Sequence, residues 1–173
     1  GFIPTVTLGK GVDVGGGMVV AASNATIENC SFGYNMASGI RGAGGAISFY
    51  GGYVNHRVKN CLFMDNSAER NGGAVSCGLF ATPVITNSTF SENAAKKLGG
   101  AVFCDWSSDV TIRDCILTAN TKHAIAEENP EENSAASSVT HSLFYLNPDG
   151  DFGIFDVKRQ QMHTLAGADI DVT

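Results

Sequence analysis

The sequence predicts an all-β protein: a parallel β-helix, or β-solenoid, of about six coils with about 27 residues per coil. Three observations lead to this prediction. A phrase that ends in Asn recurs at a nearly fixed step, a glycine-containing phrase recurs between its copies, and helical periodicity is absent. A fixed step of this size is typical of solenoids, in which each repeat buries its apolar face only by stacking on its neighbours.

The first phrase has the pattern [IV]-x-N-[CS]-x-F-x-x-N. It occupies 27–35, 58–66 and 85–93, with a looser copy at 112–120 and a shorter one at 142–147. Its closing Asn advances in steps of 31, 27, 27 and 27 residues. Period-two alternation places the aliphatic residue, the Cys or Ser and the Phe inward, and both Asn positions are expected to turn corners because Asn tolerates the left-handed region. The predicted structural ladders are Asn35, Asn66, Asn93, Asn120 and Asn147; Phe32, Phe63, Phe90 and Phe144; and Cys30, Cys61 and Cys115.

The second phrase is Gly-Gly-Ala followed by an aliphatic residue. It occupies 44–47, 72–75 and 99–102, with an early half-copy at 16–19. Paired glycines supply positive φ at a tight corner, and the aliphatic residue begins another short strand. Each coil therefore contains at least two short strands and room for a third. Stacking at a step of 27 places Cys77 on Cys104 and Glu69 over Lys96, and the 31-residue coil places Glu28 over Lys59.

The repeat weakens towards the end of the chain. His123-Ala124-Ile125 replaces the glycine phrase, and the acidic segment 127–138 is interpreted as an exposed loop. We expect residues 1–173 to form a single domain, with 158–173 as a cap or linker. The chain begins without an initiator Met or signal peptide, which favours a mature or excised piece of a larger protein.

Composition narrows the function classes. The net charge is −6 and the sequence shows no clustered Lys/Arg stripe, so nucleic acid is not an expected partner. No apolar run reaches the roughly 18 residues of a membrane-spanning segment. The expected partners are a cell-surface receptor, a glycan or neighbouring subunits of an extracellular assembly.

The alternation of the two phrases resembles the repeats of the chlamydial polymorphic membrane proteins and of other bacterial surface proteins with right-handed parallel β-helix passengers. The F-x-x-N copies end at Asn35, Asn66, Asn93 and Asn147, and the G-G-A copies begin at Gly44, Gly72 and Gly99; the resemblance covers roughly residues 16–155. It implies a right-handed coil and a secreted or surface-displayed region that adheres to cells. The G-G-A phrase is missing from the last two coils. Our leading hypothesis is a non-enzymatic extracellular or cell-surface module with an adhesive or structural role.

An alternative hypothesis is a polysaccharide lyase or glycoside hydrolase. β-Helix enzymes of these kinds place acidic residues and a cation in a groove on one face. The candidate catalytic residues are Asp105, Asp109 and Arg113, and the competing interpretation is a solvated turn between two coils.

A carbohydrate-binding role is a related alternative. Aromatic rings stack on sugar rings, and the candidates for such a platform are Phe103, Trp106, Tyr50 and Tyr53. Phe103 lies one residue from the inward Cys104, so it is expected to be exposed.

No cofactor is expected from the sequence, with calcium as an alternative. Asn147, Asp149 and Asp151 alternate oxygen-bearing side chains around a Gly, as at the start of a calcium loop. Pro-Asp-Gly is also an ordinary turn sequence. The cysteines are interpreted as small apolar core residues, with a Cys77–Cys104 disulfide as the alternative.

Overall fold

The computed structural model of the protein describes residues 5–7, 10–51, 55–105, 107–129, 137–156 and 161–165. The described residues form 22 strands, and none of them belongs to a helix that could cross a bilayer. In chain order the strands are β1 (Thr5–Thr7), β2 (Lys10–Val14), β3 (Met18–Ala21), β4 (Ala25–Glu28), β5 (Ser31–Gly33), β6 (Met36–Ala43), β7 (Ile47–Tyr50), β8 (His56–Lys59), β9 (Leu62–Met64), β10 (Ser67–Ala68), β11 (Val75–Gly78), β12 (Val84–Thr86), β13 (Thr89–Ser91), β14 (Ala94–Ala95), β15 (Val102–Cys104), β16 (Thr111–Arg113), β17 (Ile116–Thr118), β18 (His123–Asn129), β19 (Ser138–Thr140), β20 (Leu143–Tyr145), β21 (Gly150–Asp156) and β22 (Gln161–Leu165).

These strands stack in four sheets that run the length of the rod. Sheet A has the order β1-β5-β9-β13-β17-β20, sheet B β2-β6-β10-β14, sheet C β3-β7-β11-β15-β18-β21-β22, and sheet D β4-β8-β12-β16-β19. Each coil visits sheet D, then A, then B where that strand is present, then C. All pairings are parallel except β21 with β22. The predicted parallel β-helix is confirmed.

The register matches the predicted step. Phe63 pairs with Phe90, Ile85 with Ile112, and Cys77 with Cys104, each 27 residues apart. The six strands of sheet A lie at six levels, which are the six predicted coils, and joining them takes about five full turns.

Aromatic and aliphatic ladders fill the interior. The rings of Phe32 and Phe63 stack with centroids 5.0 Å apart, and those of Phe63 and Phe90 with centroids 4.6 Å apart. Leu117 continues this ladder as a fully buried residue, and Phe144 ends it half-buried. Because neighbouring coils cover each other's apolar side chains, one continuous hydrophobic core runs along the rod.

The closing Asn of each repeat forms a second, polar ladder. The backbone N–H and the side-chain Nδ2 of Asn66 both donate to Oδ1 of Asn93, at 3.1 and 2.9 Å, and Nδ2 also donates to the Phe32 carbonyl at 2.9 Å. Asn35 makes the same bonds to Asn66. The expectation that this Asn turns the corner with its own backbone is wrong. The residue before each Asn has the positive φ: Tyr34, Asp65, Glu92, Ala119 and Leu146. That residue turns the corner, and the Asn side chain stabilises it through hydrogen bonds.

The earlier corner of the repeat behaves as predicted. Asn29, Asn60 and Asn87 have φ of 55°, 53° and 50°, and Asp114 and His141 continue the same left-handed column.

The glycine corner has two separate requirements. Gly72 has φ +65°, which favours glycine, whereas an ideal Cβ on Gly73 would lie only 2.0 Å from the carbonyl oxygen of Gly100 in the next coil. The early half-copy begins one residue before its predicted position, because Met18 pairs with Ile47. In the fourth coil Lys122, with φ 59°, takes the place of the first glycine.

The later coils lack a sheet B strand, so β14 ends that sheet among the described residues. The Thr121 hydroxyl lies at the open edge, where it accepts a bond of 3.0 Å from the Ala95 N–H. The acidic segment predicted as a loop is partly strand instead. β18 continues to Asn129, and Glu127 is 3% exposed and accepts a bond from the Ser137 N–H. Sheet pairing with β21 draws these residues into the rod, while 130–136 lie outside the described residues.

The last strand changes direction. β22 pairs antiparallel with β21 and covers its outer edge, which an open β-helix would leave unpaired. The remainder of the predicted cap or linker, 158–160 and 166–173, lies outside the described residues.

The cysteines are free thiols. Burial raises the pKa of Cys115 to about 11 and also raises the pKa of Cys61. The stacked thiol of Cys77, together with burial, raises the pKa of Cys104. Protonated, enclosed thiols of this kind behave as small core residues.

Candidate functional site

The outward face of sheet D and its adjoining Asn corner form one continuous polar surface. We call it the polar strip and define it by Glu28, Asn29, Arg57, Lys59, Asn60, Thr86, Asn87 and Arg113.

Strand alternation creates this surface. Val58, Ile85 and Ile112 point into the core from the middle of β8, β12 and β16, so the residues on either side of each point outward. The register then aligns the outward residues in two rows. One row contains Arg57, Val84 and Thr111, and the other contains Lys59, Thr86 and Arg113.

The polar strip contains two adjoining depressions. One has a volume of about 510 Å³ and lies over the Asn corner, and the other has a volume of about 320 Å³ and lies over β8, β12 and β16. Glu28, Lys59 and Asn87 line both, so the two are continuous along the rod.

The Asn corner presents fixed amides to solvent. Asn29, Asn60 and Asn87 are exposed, in contrast to the buried ladder at the next corner. The Asn60 Nδ2 donates to Oδ1 of Asn29 at 2.6 Å. The left-handed backbone of all three residues sets the direction in which each side chain leaves the chain, and the Asn60–Asn29 bond links two of the amides.

The charge of the polar strip opposes that of the whole chain. It holds three cations and one carboxylate, whereas the chain has a net charge of −6. Within the described residues neither Arg57 nor Lys59 forms an ion pair. The Arg113 Nε lies 3.3 Å from Oδ2 of Asp114, and this contact uses one of the five N–H donors of the guanidinium. The strip can therefore donate charge-assisted hydrogen bonds to an acidic or hydroxyl-bearing ligand.

Of the three predicted catalytic residues, Arg113 belongs to the polar strip, and Asp105 and Asp109 lie outside it. Asp105 Oδ1 accepts bonds from the N–H and the hydroxyl of Ser107 at 3.0 and 2.8 Å, and its Oδ2 accepts a bond from the Leu79 N–H at 3.2 Å. Asp109 is half-buried, and its N–H donates to the Ala81 carbonyl. The depression that Arg113 lines includes neither aspartate. Asp105 thus organises the turn after β15, and the catalytic assignment stays a prediction.

The predicted aromatic platform is only partly described. The expectation that Phe103 is exposed is wrong, because it is 6% exposed. The outward row of sheet C at this position is covered by the glycine corner, where an ideal Cβ on Gly99 would lie 3.1 Å from the Phe103 Cβ. Tyr50 is half-buried, and burial raises the pKa of its phenol. Trp106 and Tyr53 lie outside the described residues.

The predicted calcium ligands take part in other contacts. Asn147 Oδ1 accepts bonds from the backbone N–H and Nδ2 of Asn120 at 3.1 and 3.3 Å, as a member of the buried ladder. Asp149 lies 3.8 Å from the Lys122 Nζ, and Asp151 accepts a bond from the Asn147 Nδ2 at 3.3 Å. In the part of the chain that the structure describes, no group of three or more His, Cys, Asp or Glu residues could hold a metal ion. Calcium binding stays a prediction.

The predicted stacking of Glu28 over Lys59 is confirmed in register. The repeat alone did not predict that Arg57, Lys59 and Arg113 lie on one face. The sequence does carry a signal for this surface, namely cations at the outward positions on either side of an inward aliphatic residue. These positions are Arg57 and Lys59 in one coil, and Thr111 and Arg113 two coils later.

Fold and surface together define the class of protein: a parallel β-solenoid whose repeated residues build the rod and whose lateral polar face combines the repeated Asn corner with charged residues that differ between coils. Residues 9–162 match the family model described as the right-handed β-helix region, so the chain belongs to the right-handed β-helix family. Comparison with curated proteins gave no match, and comparison with solved structures gave none either.

Proposed function

We propose that this chain is a non-enzymatic adhesion module of an extracellular or cell-surface protein, and that the polar strip is its contact surface. The observation that carries the proposal is a pair of exposed cations on the strip, Arg57 and Lys59, which form no ion pair within the described residues. The repeated residues build the structural ladders, so binding specificity is expected to depend on positions that differ between coils, such as Arg57 and Lys59. The resemblance to the chlamydial polymorphic membrane proteins supports the same role.

Adhesion of coated beads tests this function. Fluorescent beads carrying the purified chain are expected to bind cultured cells in larger numbers than beads carrying heat-unfolded chain, because only the folded rod presents the strip as one surface. Polymer length is followed in the same samples to detect cleavage of surface glycans. Equal binding by folded and unfolded chain, or shortened glycan, contradicts a non-enzymatic adhesion module.

A further inference from the structure

We propose that two copies of this chain associate side by side through the outer face of sheet A, with their rods parallel. The partner is the chain itself and the main contact surface is not the polar strip, so this association goes beyond the proposed adhesion function.

The outer face of sheet A is uncharged and rich in exposed apolar side chains. In β5, β9, β13, β17 and β20 one inward residue lies between two outward ones, and none of the ten outward residues is charged. Among the described residues, six of the eleven exposed large hydrophobic side chains lie on this face or at its Asn-ladder corner. These six are Leu62, Ile116, Leu143, Tyr145, Tyr34 and Leu146. Such a concentration on one face is typical of an interaction surface.

Opposite charges border this face along its two sides. Asp65 and Glu92 stack in successive coils at the Asn-ladder corner, on the side of sheet B. Both carboxylates, Asp65 above all, raise the pKa of the exposed Tyr34 phenol in the same column. Lys59 and Arg113 lie on the other side, beyond the exposed Asn corner. One side of the face is therefore acidic, and the other carries cations.

These charges select the orientation of the two copies. A two-fold axis parallel to the rods brings the faces together so that the acidic side of each copy meets the cationic side of the other. Residues of the same coil then meet, which places Lys59 of one copy opposite Asp65 of the other. A two-fold axis across the rods would instead match like sides and bring the cations of both copies together. Charge therefore favours parallel rods.

The parallel arrangement also matches the remaining residues of the face. Each outward row of one copy meets the other outward row of the second copy, so Leu62 lies opposite Met64. In the preceding coil Tyr34 lies opposite Glu28, and the phenol can donate a hydrogen bond to that carboxylate. The face is smaller than a standard interface of roughly 20–30 residues a side, so the association is expected to be weak, with a Kd between about 10 μM and about 1 mM.

Sedimentation equilibrium of the purified chain at concentrations up to about 1 mM tests the association. Leu62→Ser/Ile116→Ser removes two apolar side chains from the face. Val19→Ser/Leu79→Ser is the control, because it removes two more exposed apolar side chains that lie outside sheet A. The wild-type chain and the control variant should dimerise equally, and the sheet A variant should dimerise about tenfold less tightly or not at all. Thermal unfolding confirms that each variant is folded.

Reversal of one charge pair tests the orientation. Lys59→Asp and Asp65→Lys should each lower the association constant about tenfold, because each variant creates like-charge pairs across the axis. The double variant Lys59→Asp/Asp65→Lys restores opposite charges and should recover the wild-type value to within about threefold.

A wild-type chain that stays monomeric at about 1 mM would overturn the inference, as would equal dimerisation of the sheet A variant and its control. A double charge variant that associates no better than the single ones would rule out parallel rods. Wild-type chain that sediments with phosphatidylcholine vesicles but not with itself would also overturn the inference, and it would assign the face to a lipid surface. Leu62→Ser/Ile116→Ser leaves the polar strip unchanged, so it should lose dimerisation while its coated beads still adhere to cells.

Discussion

At the scale of single residues, buried Asn side chains hold the second corner of each repeat. Asn66 is fully buried and links three coils, accepting two bonds from Asn35 and donating to Asn93 and to the Phe32 carbonyl. Buried amides are stable only when their donors and acceptors are paired. The ladder therefore fixes the stacking register of the coils, because displacing one coil by a residue would break every hydrogen bond between the buried amides.

Replacing Asn66 tests the ladder. Asn66→Leu leaves the Asn35 N–H and Nδ2 without their acceptor, and it should lower the free energy of unfolding by about 3 kcal/mol. The matched control is Asn60→Gly, which keeps a left-handed corner at an exposed Asn and should cost less than about 1 kcal/mol. Urea unfolding measures both, and equal losses would show that the ladder adds nothing beyond the corner itself.

The buried residue His56 should make the stability of the fold depend on pH. It is 1% exposed and lies against Phe49, with ring centroids 4.8 Å apart, and burial lowers its pKa, with the Ser23 backbone opposing. The folded state keeps His56 neutral while the unfolded state gains a proton below its ordinary pKa of 6.5. Stability should therefore be unaffected above that value and should fall as pH drops from it towards the lowered pKa of the folded state.

The expected result is a smaller loss of stability between about pH 7.5 and about pH 5.5 in His56→Leu than in the wild-type chain. Urea unfolding at both pH values measures the difference. Part of the dependence should remain, because burial also lowers the pKa of His123. Exposed His163→Gln is the control, and an unchanged pH dependence in His56→Leu would refute this role for His56.

At the scale of elements, the approach of neighbouring coils sets which substitutions are tolerated. Gly73→Ala places a methyl group against the backbone of Gly100, so the coils must separate, and it should cost about 3 kcal/mol. Gly78→Ala is the matched control. Its added Cβ would lie 3.1 Å from the Asp105 carboxylate and 3.1 Å from the Tyr50 ring, and these side chains need to shift only slightly, so the cost should be about 1 kcal/mol. Equal thermal unfolding midpoints for the two variants would contradict the close contact.

At the scale of the whole molecule, periodicity explains what the sequence could predict. A fixed step determines which residues meet one coil away, so the pairings Phe63–Phe90, Cys77–Cys104 and Glu69–Lys96 followed from counting and are confirmed. Phe103 was missed because alternation predicts the side of a strand, whereas its burial depends on a corner that folds over that side.

The polar strip was missed for a related reason. Its cations come from coils separated by one that carries Val84 and Thr86 at the same positions, so no charge run is visible along the chain. Only the stacked register brings Arg57, Lys59 and Arg113 onto one face. Positions that repeat therefore predict the fold, whereas the cations of the polar strip occupy positions that differ between coils.

We propose that this rod adheres through the polar strip. The most direct measurement counts cell-bound beads coated with the wild-type chain, with Arg57→Gln/Lys59→Gln, or with Arg70→Gln/Lys97→Gln. Most adhesion should be lost in the first variant alone, because both variants lose the same charge and only one alters the strip. Adhesion that survives in the first variant, or that falls equally in both, would contradict it.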